Sequence, residues 1–194
     1  LNEAALTTAM QQIEKHCDLS AIDRTEVLRR EQAYLDIHRE IGSLQQLLEW
    51  LDTPQPLDPT TTQELSFYLR GIGMRIAEIG AGDPTFARQL LTQLSPRAYF
   101  LNDINPNQVQ LISDFFHLSS PSRPIVPVLG ESHSTRLEGQ NLDAIIIRNA
   151  LHHFEALPVM LASIQQSLAP HGRLLIKETF IESCYGLCCP DLRS

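Results

Sequence analysis

Long apolar runs and disulfide-forming cysteines are both lacking in this sequence. No apolar run approaches the roughly 18 residues that a membrane-spanning helix needs. Four cysteines are too few to staple a chain of 194 residues, and such sparse use is typical of a reducing compartment. Residues 1–6 also lack the basic start and apolar core of a signal peptide. These absences predict a cytoplasmic protein with no membrane partner.

The cysteines do not have the spacing of a metal site. Cys17 stands alone, and Cys184, Cys188 and Cys189 lie close to the C-terminus. This spacing differs from the paired CxxC of zinc sites, and adjacent cysteines are geometrically awkward ligands for one ion. The sequence therefore predicts reduced thiols and no bound metal.

Basic side chains are outnumbered, with 15 Lys and Arg against 23 Asp and Glu and a net charge of −8. Residues 1–70 hold 12 acidic and 6 basic side chains, and residues 71–194 hold the other 11 and 9. A nucleic-acid-binding surface concentrates Lys and Arg, so this balance disfavours a nucleic-acid partner. Small molecules or proteins are the favoured substrates.

The first 70 residues have the pattern of helices. Apolar residues recur at steps of three or four from Val27 to Leu51, which predicts one long amphipathic helix that ends near Pro54. Asp58 offers an N-cap for a shorter helix that follows. We assign residues 1–70 to a helical N-terminal region, either a lid over a binding site or a homodimer surface.

Short apolar runs alternate with helical stretches from Arg75 onward. The predicted strands cover residues 75–79, 98–102, 125–129, 143–147 and 173–176, and the predicted helices cover residues 84–94, 106–118 and 155–168. This alternation predicts right-handed βαβ units and an α/β fold with a doubly wound, mostly parallel sheet. Residues 71–194 would form this domain, and its near-continuous apolar strands fit burial on both faces.

The turn after the first strand is the predicted ligand-binding feature, because ligands of doubly wound sheets bind beyond the carboxyl ends of the strands. Gly80 and Gly82 allow a sharp turn and a close approach to a ligand. Asp83 and Pro84 are suited to cap and begin the next helix. Asp103, 23 positions after Gly80, can accept both hydroxyl hydrogens of a ribose, or it can cap the helix that follows. Together these features favour a nucleoside ligand.

The same turn disfavours NAD, since the dinucleotide motif G-x-G-x-x-G needs a third glycine where this chain has Thr85. Glu78 lies two residues before Gly80 at the end of the strand, where a carboxylate needs a positive or hydrogen-bond-donating partner. The amino group of a methionine moiety would supply it. A structural ion pair with Arg75 or Arg148 is the alternative.

Five segments resemble, in order, the motifs of class I S-adenosylmethionine-dependent methyltransferases, whose fold is Rossmann-like. They are AEIGAG at 77–82, NDINP at 102–106, GES at 130–132, RNALHHF at 148–154 and LAPHGRLLI at 168–176. The resemblance covers about residues 75–180 and does not extend to the helical N-terminal region. It implies S-adenosylmethionine as the cofactor and methyl transfer as the activity.

The resemblance also implies which residues contact the cofactor. They are Gly80, Ala81 and Gly82 at the methionine end, next to the Glu78 already predicted there, Asp103 at the ribose, Ile104, Glu131 and Ser132 at the adenine, and Asn149 and Leu151 beside the transferred methyl group. The chain departs from the family pattern at Pro84, where a third glycine is frequent, and at Glu131, where an aspartate is frequent.

Two histidines after the fourth strand are candidates for a general base. If the acceptor must lose a proton, His152 or His153 has a suitable intrinsic pKa. In the alternative interpretation, one of them packs against or caps the next helix and the other is solvated. In the family, a His-His-Phe variant is commoner among enzymes that act on small molecules, which implies a small-molecule acceptor ahead of a protein or RNA.

Two other functions are compatible with parts of this pattern. A methyltransferase-like protein could keep the fold and bind a partner without catalysis, because fold alone does not establish activity. An NAD-dependent oxidoreductase is the other, less favoured, alternative.

The family's sheet normally ends with two further strands, the last of them antiparallel. Only 14 residues follow Phe180, which cannot supply a helix and a hairpin. We therefore expect the C-terminal strands to be missing from this chain or supplied by a partner.

Overall fold

The computed structural model describes residues 74–82, 84–119, 122 and 124–178, together with Thr7, Gln11, Tyr68 and Leu69. In this part of the chain, strands and helices alternate as β1 (Arg75–Ile79), α1 (Thr85–Gln93), β2 (Ala98–Asp103), α2 (Pro106–Ser119), β3 (Ile125–Leu129), β4 (Leu142–Arg148), a 3-10 turn (Leu151–His153), α3 (Leu157–Ser167) and β5 (Leu168–Lys177). The predictions for the N-terminal helices, the Asp83 cap, the four cysteines and the C-terminal strands lie outside the described residues.

The five strands form one parallel sheet in the order β3-β2-β1-β4-β5. β1 lies at the centre, and the chain winds from it first toward β3 and then, after a crossover, toward β5. The winding direction therefore reverses between β1 and β4, which is where doubly wound sheets leave a crevice for a ligand. The predicted α/β class and Rossmann-like fold are confirmed.

Two apolar layers, one on each face, hold this sheet. Alternate residues of a strand face opposite sides, so Ile145 packs toward α3 and Ile146 packs toward α1 and α2. Ile79 joins the first layer and Phe86 the second. Burial on both faces explains why β4 and β5 contain the continuous apolar runs 145–147 and 174–176.

Most predicted boundaries agree with the structure to within two residues, and the start of β5 is the exception. Helix α1 begins at Thr85 instead of Pro84, whose carbonyl accepts a hydrogen bond from the Arg88 N–H at 2.9 Å. β5 begins at Leu168 rather than Arg173, because a bulge in its pairing with β4 accommodates the residues between them. The Pro170–Gly172 segment resembles a turn in the sequence, and pairing with β4 makes it part of the strand.

None of the helices in the described part of the chain is both long and apolar enough to span a bilayer.

Candidate functional site

A cavity of about 450 Å³ opens beyond the carboxyl ends of the strands. Its lining comes from the ends of β1 and β2, the segments after β1 to β4, and one residue each of α2 and α3: Ile79, Gly80, Gly82, Asn102, Asp103, Ile104, Asn105, Gln108, Gly130, Glu131, Ser132, Asn149, Ala150, His153, Phe154, Glu155 and Met160. Its volume falls within the range of roughly 300–1,000 Å³ that is common for small-molecule sites. The cavity lies at the switch point between β1 and β4.

The glycine turn forms the wall of the cavity beside β1. Gly80 and Gly82 have φ values of 69° and 58°, a left-handed conformation that glycine adopts without steric cost. A Cβ added at Gly80 would overlap with the Cβ of Ala150, so the turn after β1 and the turn after β4 are in close contact. Ala81 does not line the cavity: its side chain is buried, and its N–H donates to the Asn102 carbonyl at 2.9 Å.

Asp103 connects the glycine turn to the start of α2. Its Oδ2 accepts the Gly82 N–H at 2.9 Å, and its Oδ1 accepts the Asn105 N–H at 2.8 Å. Asn105 in turn accepts the Asn107 N–H at 2.9 Å and so satisfies a backbone donor at the beginning of the helix. Asp103 therefore has a local turn role and also presents its carboxylate to the cavity, where its oxygens retain further lone pairs.

The residues that the sequence predicts to contact adenine line the cavity. Ile104 is 60% exposed, an apolar platform at the rim. Glu131 and Ser132 also line the cavity, but the Glu131 carboxylate is engaged by Arg136 and lies 3.5 Å from the Nε2 of His133. These charged contacts are exposed, so a ligand can compete for the Glu131 carboxylate at low energetic cost.

Hydrogen bonds attach the loop that carries Glu131 to α3 and to β2. The Thr135 N–H donates to the Ser163 hydroxyl of α3 at 2.8 Å, and the Asn102 side-chain amide donates to the Thr135 carbonyl at 2.7 Å. Thr135 Oγ1 also lies 3.1 Å from the Ser167 hydroxyl. The loop after β3 is thus fixed to both the sheet and α3.

Asn149 lines the cavity beside β4 with a φ of 53°. This left-handed conformation is uncommon for a residue other than glycine, and asparagine is among the residues that tolerate it best. Its N–H donates to the Lys177 carbonyl at 2.9 Å. Leu151, predicted beside it, is buried in the apolar layer under α3 and does not line the cavity.

The two candidate histidines occupy different environments. His153 lines the cavity, whereas the His152 side chain is buried and its Nδ1 lies 2.7 Å from the Oε2 of Glu178. The two rings contact each other, with centroids 4.1 Å apart. The two histidines are therefore in contact, but only His153 reaches the cavity surface.

Glu178 is the main residue that the sequence reasoning missed. It follows β5 directly, is buried, and its Oε1 accepts the N–H groups of Ala150 and Leu151 at 2.9 and 2.8 Å. The available signal was a carboxylate at the end of a predicted buried strand, and the same signal led to the prediction for Glu78. Gln108 and Met160 on the cavity wall were also missed, because nothing in their local sequence indicates which face of a helix meets the cavity.

Glu78 does not line the cavity. Its side chain is 1% exposed, its Oε2 accepts the Tyr99 hydroxyl at 3.0 Å, and its Oε1 lies 3.7 Å from the Nε of Arg148. Of the two interpretations from the sequence, the geometry therefore favours the structural ion pair with Arg148. Arg75 is engaged elsewhere, through the carbonyl and side chain of Gln140.

A methyltransferase domain family model matches residues 77–174, half of the 194-residue chain. The chain is 27% identical over 100 residues to the probable phthiotriol/phenolphthiotriol dimycocerosates methyltransferase 2 of Mycobacterium ulcerans, a match that covers 52% of this chain and 37% of that protein. The chain thus spans little more than a third of the length of this relative.

Two solved structures share the fold. YcgJ from Bacillus subtilis aligns with a TM-score of 0.54 at 19% identity, covering 61% of this chain and 50% of that one. A SAM-dependent methyltransferase from Aquifex aeolicus aligns with a TM-score of 0.51 at 14% identity, covering 62% and 72%. With the family match, the strand order and the glycine turn at the switch point, the chain belongs to the methyltransferase domain family, within the class I S-adenosylmethionine-dependent methyltransferases.

Proposed function

We propose that this protein transfers a methyl group from S-adenosylmethionine to a small-molecule acceptor. The observation that carries the proposal is the cavity at the β1–β4 switch point, which brings Gly80, Asp103 and His153 together. The bound cofactor supplies an already activated methyl group on its sulfonium, so the chain needs no covalent nucleophile. Its residues have to hold the two substrates in line and exclude water.

The residues of the cavity fit this cofactor. A Cβ at Gly82 would meet nothing within 4 Å, so this glycine leaves space beside the backbone for the methionine end, whereas Gly80 lets the turn pack against Ala150. Asp103 offers a carboxylate for the ribose hydroxyls. Ile104 would cover one face of the adenine. Glu131 and Ser132 would contact the adenine edge, and Asn149 would border the methyl group.

Three of the predicted cofactor residues would act without forming the cavity surface. Ala81 shapes the glycine turn through its hydrogen bond to the Asn102 carbonyl, and Leu151 anchors the turn after β4 in the core. Glu78 is buried beneath both turns. We therefore propose supporting roles for Ala81, Leu151 and Glu78.

A small-molecule acceptor is supported by the apolar side of the cavity. Phe154 and Met160 line it next to His153. The Mycobacterium ulcerans relative is named for acceptors that are neither proteins nor nucleic acids. The acidic charge of the chain also disfavours a nucleic-acid acceptor.

The histidine pair would take a proton from an acceptor that must lose one. The Glu178 carboxylate, 2.7 Å from the His152 Nδ1, would hold the proton of the ring on Nδ1 and leave Nε2 to act as the basic nitrogen. His153 is the ring that lines the cavity, in contact with His152. A base needs an orienting carboxylate and access to the acceptor. His152 has the carboxylate, and His153 has the access.

Calorimetric titration with S-adenosylhomocysteine tests cofactor binding. We expect saturable binding by the parent protein and a roughly 10- to 100-fold weaker affinity for Asp103→Asn, because hydrogen bonds to a charged group contribute about 1.5–3 kcal/mol. Asp114→Asn is the matched control, since Asp114 contacts Gln110 on α2 away from the cavity. Absence of binding by the parent protein, or preferential binding of NADH, would contradict the proposal.

Separate substitutions test the histidines. With an acceptor found by screening small hydroxyl compounds and carbon acids for S-adenosylhomocysteine release, His152→Ala and His153→Ala should lower turnover about 10²- to 10⁴-fold. Both variants should retain cofactor affinity. Unchanged turnover in both variants would remove the general base from the proposal.

The N-terminal region of residues 1–70 stays assigned to a lid or a homodimer surface, and the protein to the cytoplasm. Both assignments are proposals that depend on the sequence alone. Light scattering of the purified protein separates the two roles of the helices: a dimer supports the homodimer surface, and a monomer supports the lid.

A further inference from the structure

A cluster of polar groups, two of them buried and one partly buried, lies outside the lining of the cavity on the side of the sheet covered by α1. It consists of Glu78 on β1, Tyr99 on β2 and Arg148 on β4. Glu78 accepts the Tyr99 hydroxyl at 3.0 Å, and its other oxygen lies 3.7 Å from the Arg148 Nε. The Arg148 guanidinium also lies 4.6 Å from the centre of the Phe86 ring. No step of the proposed methyl transfer uses these groups.

This cluster bridges the two strands between which the sheet reverses its winding. The last residues paired between β1 and β4 are Ile79 and Ile147. Beyond them the chain enters the Gly80 turn on one side and the Asn149–Ala150 turn on the other. Glu78 precedes the last pair by one residue and Arg148 follows it by one, so their ion pair crosses diagonally at the base of the crevice.

The burial of the Glu78 charge is energetically costly without good partners, and the partly buried Arg148, 21% exposed, supplies the opposite charge. A carboxylate removed from water loses several kcal/mol of hydration, which an opposite charge and hydrogen bonds must offset. Removing one member of such a pair leaves the other charge uncompensated. The 3.7 Å separation is that of an ion pair without a direct hydrogen bond, so charge attraction links Glu78 to Arg148, and each is attached to one wall of the crevice.

The two walls are sensitive to small displacements. Gly80 has no room for a Cβ because of Ala150, and both turns contain a residue in the left-handed conformation, Gly80 and Asn149. A change of a few tenths of an ångström between β1 and β4 would alter this contact directly. The backbone groups that face the cavity would move with it.

We infer that the Glu78–Arg148 pair is a clasp that holds the Gly80 turn and the Asn149–Ala150 turn at the spacing that cofactor binding requires. Glu78 acts on the cofactor through Arg148, and both are positioning residues. The inference rests on the proposed function, because it takes the crevice to be the S-adenosylmethionine site. It differs from the prediction made for Glu78 from the sequence, which is a direct contact to the amino group of the methionine moiety.

Tyr99 supports this assignment. Burial raises the pKa of its hydroxyl, the charge and hydrogen bond of Glu78 raise it further, and the charge of Arg148 partly opposes them. Tyr99 is therefore a neutral donor over the physiological pH range. Its hydrogen bond occupies one Glu78 oxygen and directs the other toward Arg148.

A double-mutant cycle on S-adenosylhomocysteine affinity tests the clasp. Glu78→Gln and Arg148→Met should each weaken binding about tenfold, and the double variant should lose much less than the product of the two, because contacting residues are not additive. If Glu78 is instead a direct ligand, the two losses multiply, which overturns the inference. Arg75→Met is the matched control at the other end of β1 and should bind as the parent does.

Hydrogen–deuterium exchange of the ligand-free proteins provides a readout that does not need cofactor binding. The amides of Ala81 and Gly82 on one wall, and of Asn149, Ala150 and Leu151 on the other, are all hydrogen-bonded in the structure. Either single substitution should speed exchange on both walls. Faster exchange on the substituted strand alone would overturn the clasp.

These two measurements also separate the clasp from the proposed function. Lack of S-adenosylhomocysteine binding by the parent protein contradicts the proposed function. In that case, the hydrogen–deuterium exchange of the two walls alone tests whether the Glu78–Arg148 pair is a clasp. Arg148→Lys guards against a folding failure of Arg148→Met, since it keeps the charge but shortens the reach to Glu78. It should give effects of the same sign and smaller size in both measurements, and parent-like behaviour in both would overturn the inference.

Discussion

Gly80 and Gly139 both have positive φ values, 69° and 79°, but their surroundings differ. A Cβ at Gly139 meets nothing within 4 Å, whereas a Cβ at Gly80 overlaps with Ala150. Gly139→Ala should therefore cost only the left-handed strain, about 1–2 kcal/mol. Gly80→Ala should cost about 1–3 kcal/mol more, because the two turns must also separate.

Urea denaturation measures this difference, and calorimetry with S-adenosylhomocysteine measures its effect on the site. Gly80→Ala should lower the cofactor affinity and Gly139→Ala should leave it unchanged. Equal stability losses in the two variants would show that the contact with Ala150 is not the reason for glycine at position 80.

Tyr99 should make the protein less stable at alkaline pH. Its folded pKa is raised above the usual value of 10.0 by burial and by Glu78, so the stability that it contributes is present below pH 10 and is lost as the pH rises through the folded pKa. Unfolding free energies between pH 8 and pH 11 should fall with pH in the parent protein. The fall should be smaller in Tyr99→Phe, which has no proton to lose at this position, and an identical slope would contradict the assignment.

At the scale of elements, α3 and the loop after β3 are joined by hydroxyl groups. Ser163 on α3 accepts the Thr135 N–H and donates to the Glu138 carboxylate. Ser163→Ala should lower the free energy of unfolding by about 1–3 kcal/mol, because it leaves the buried Thr135 N–H without its acceptor. Thr92→Ala removes an exposed hydroxyl that donates to Gln89 on α1, and it should be close to neutral.

Urea denaturation of both variants provides the measurement. Because the loop carries Glu131 and Ser132, Ser163→Ala should also weaken S-adenosylhomocysteine binding. A loss of stability with unchanged affinity would show that the anchoring of this loop is independent of the adenine side of the cavity.

Local sequence predicts the strands and helices better than it predicts the contacts between them. All five strands were predicted from short runs rich in apolar residues, which in the central strands reflect burial on both faces of the sheet. The missed start of β5 shows the limit. Pro170 and Gly172 indicate a turn locally, and only the irregular pairing with β4 places them within a strand.

At the scale of the whole molecule, cofactor binding should stabilise the fold. S-adenosylhomocysteine at about 100 times its Kd adds about 2.7 kcal/mol to the free energy of unfolding. For a chain of this size, that corresponds to a rise in Tm of about 5–10 °C, which differential scanning fluorimetry can measure. NADH at the same concentration should give no rise, and a rise with NADH alone would contradict the family assignment of the cavity.

The sequence by itself determined the α/β class, the parallel sheet, the glycine turn and the position of Asp103 after β2. Each of these depends on neighbours in the chain: apolar runs form buried strands, and a turn with positive φ values favours glycine. The family motifs have the same local character, which is why S-adenosylmethionine could be named as the cofactor from the sequence.

Only the tertiary structure decided which polar groups meet. Glu178 contacts His152 across 26 positions because β5 lies beside β4, and Glu78 reaches Arg148 because β1 lies on the other side of β4. The same strand order buries Glu78 below the cavity and places His153 on its wall. Local sequence marks such residues as polar groups at strand ends, but their partners depend on strand order, which long-range packing determines.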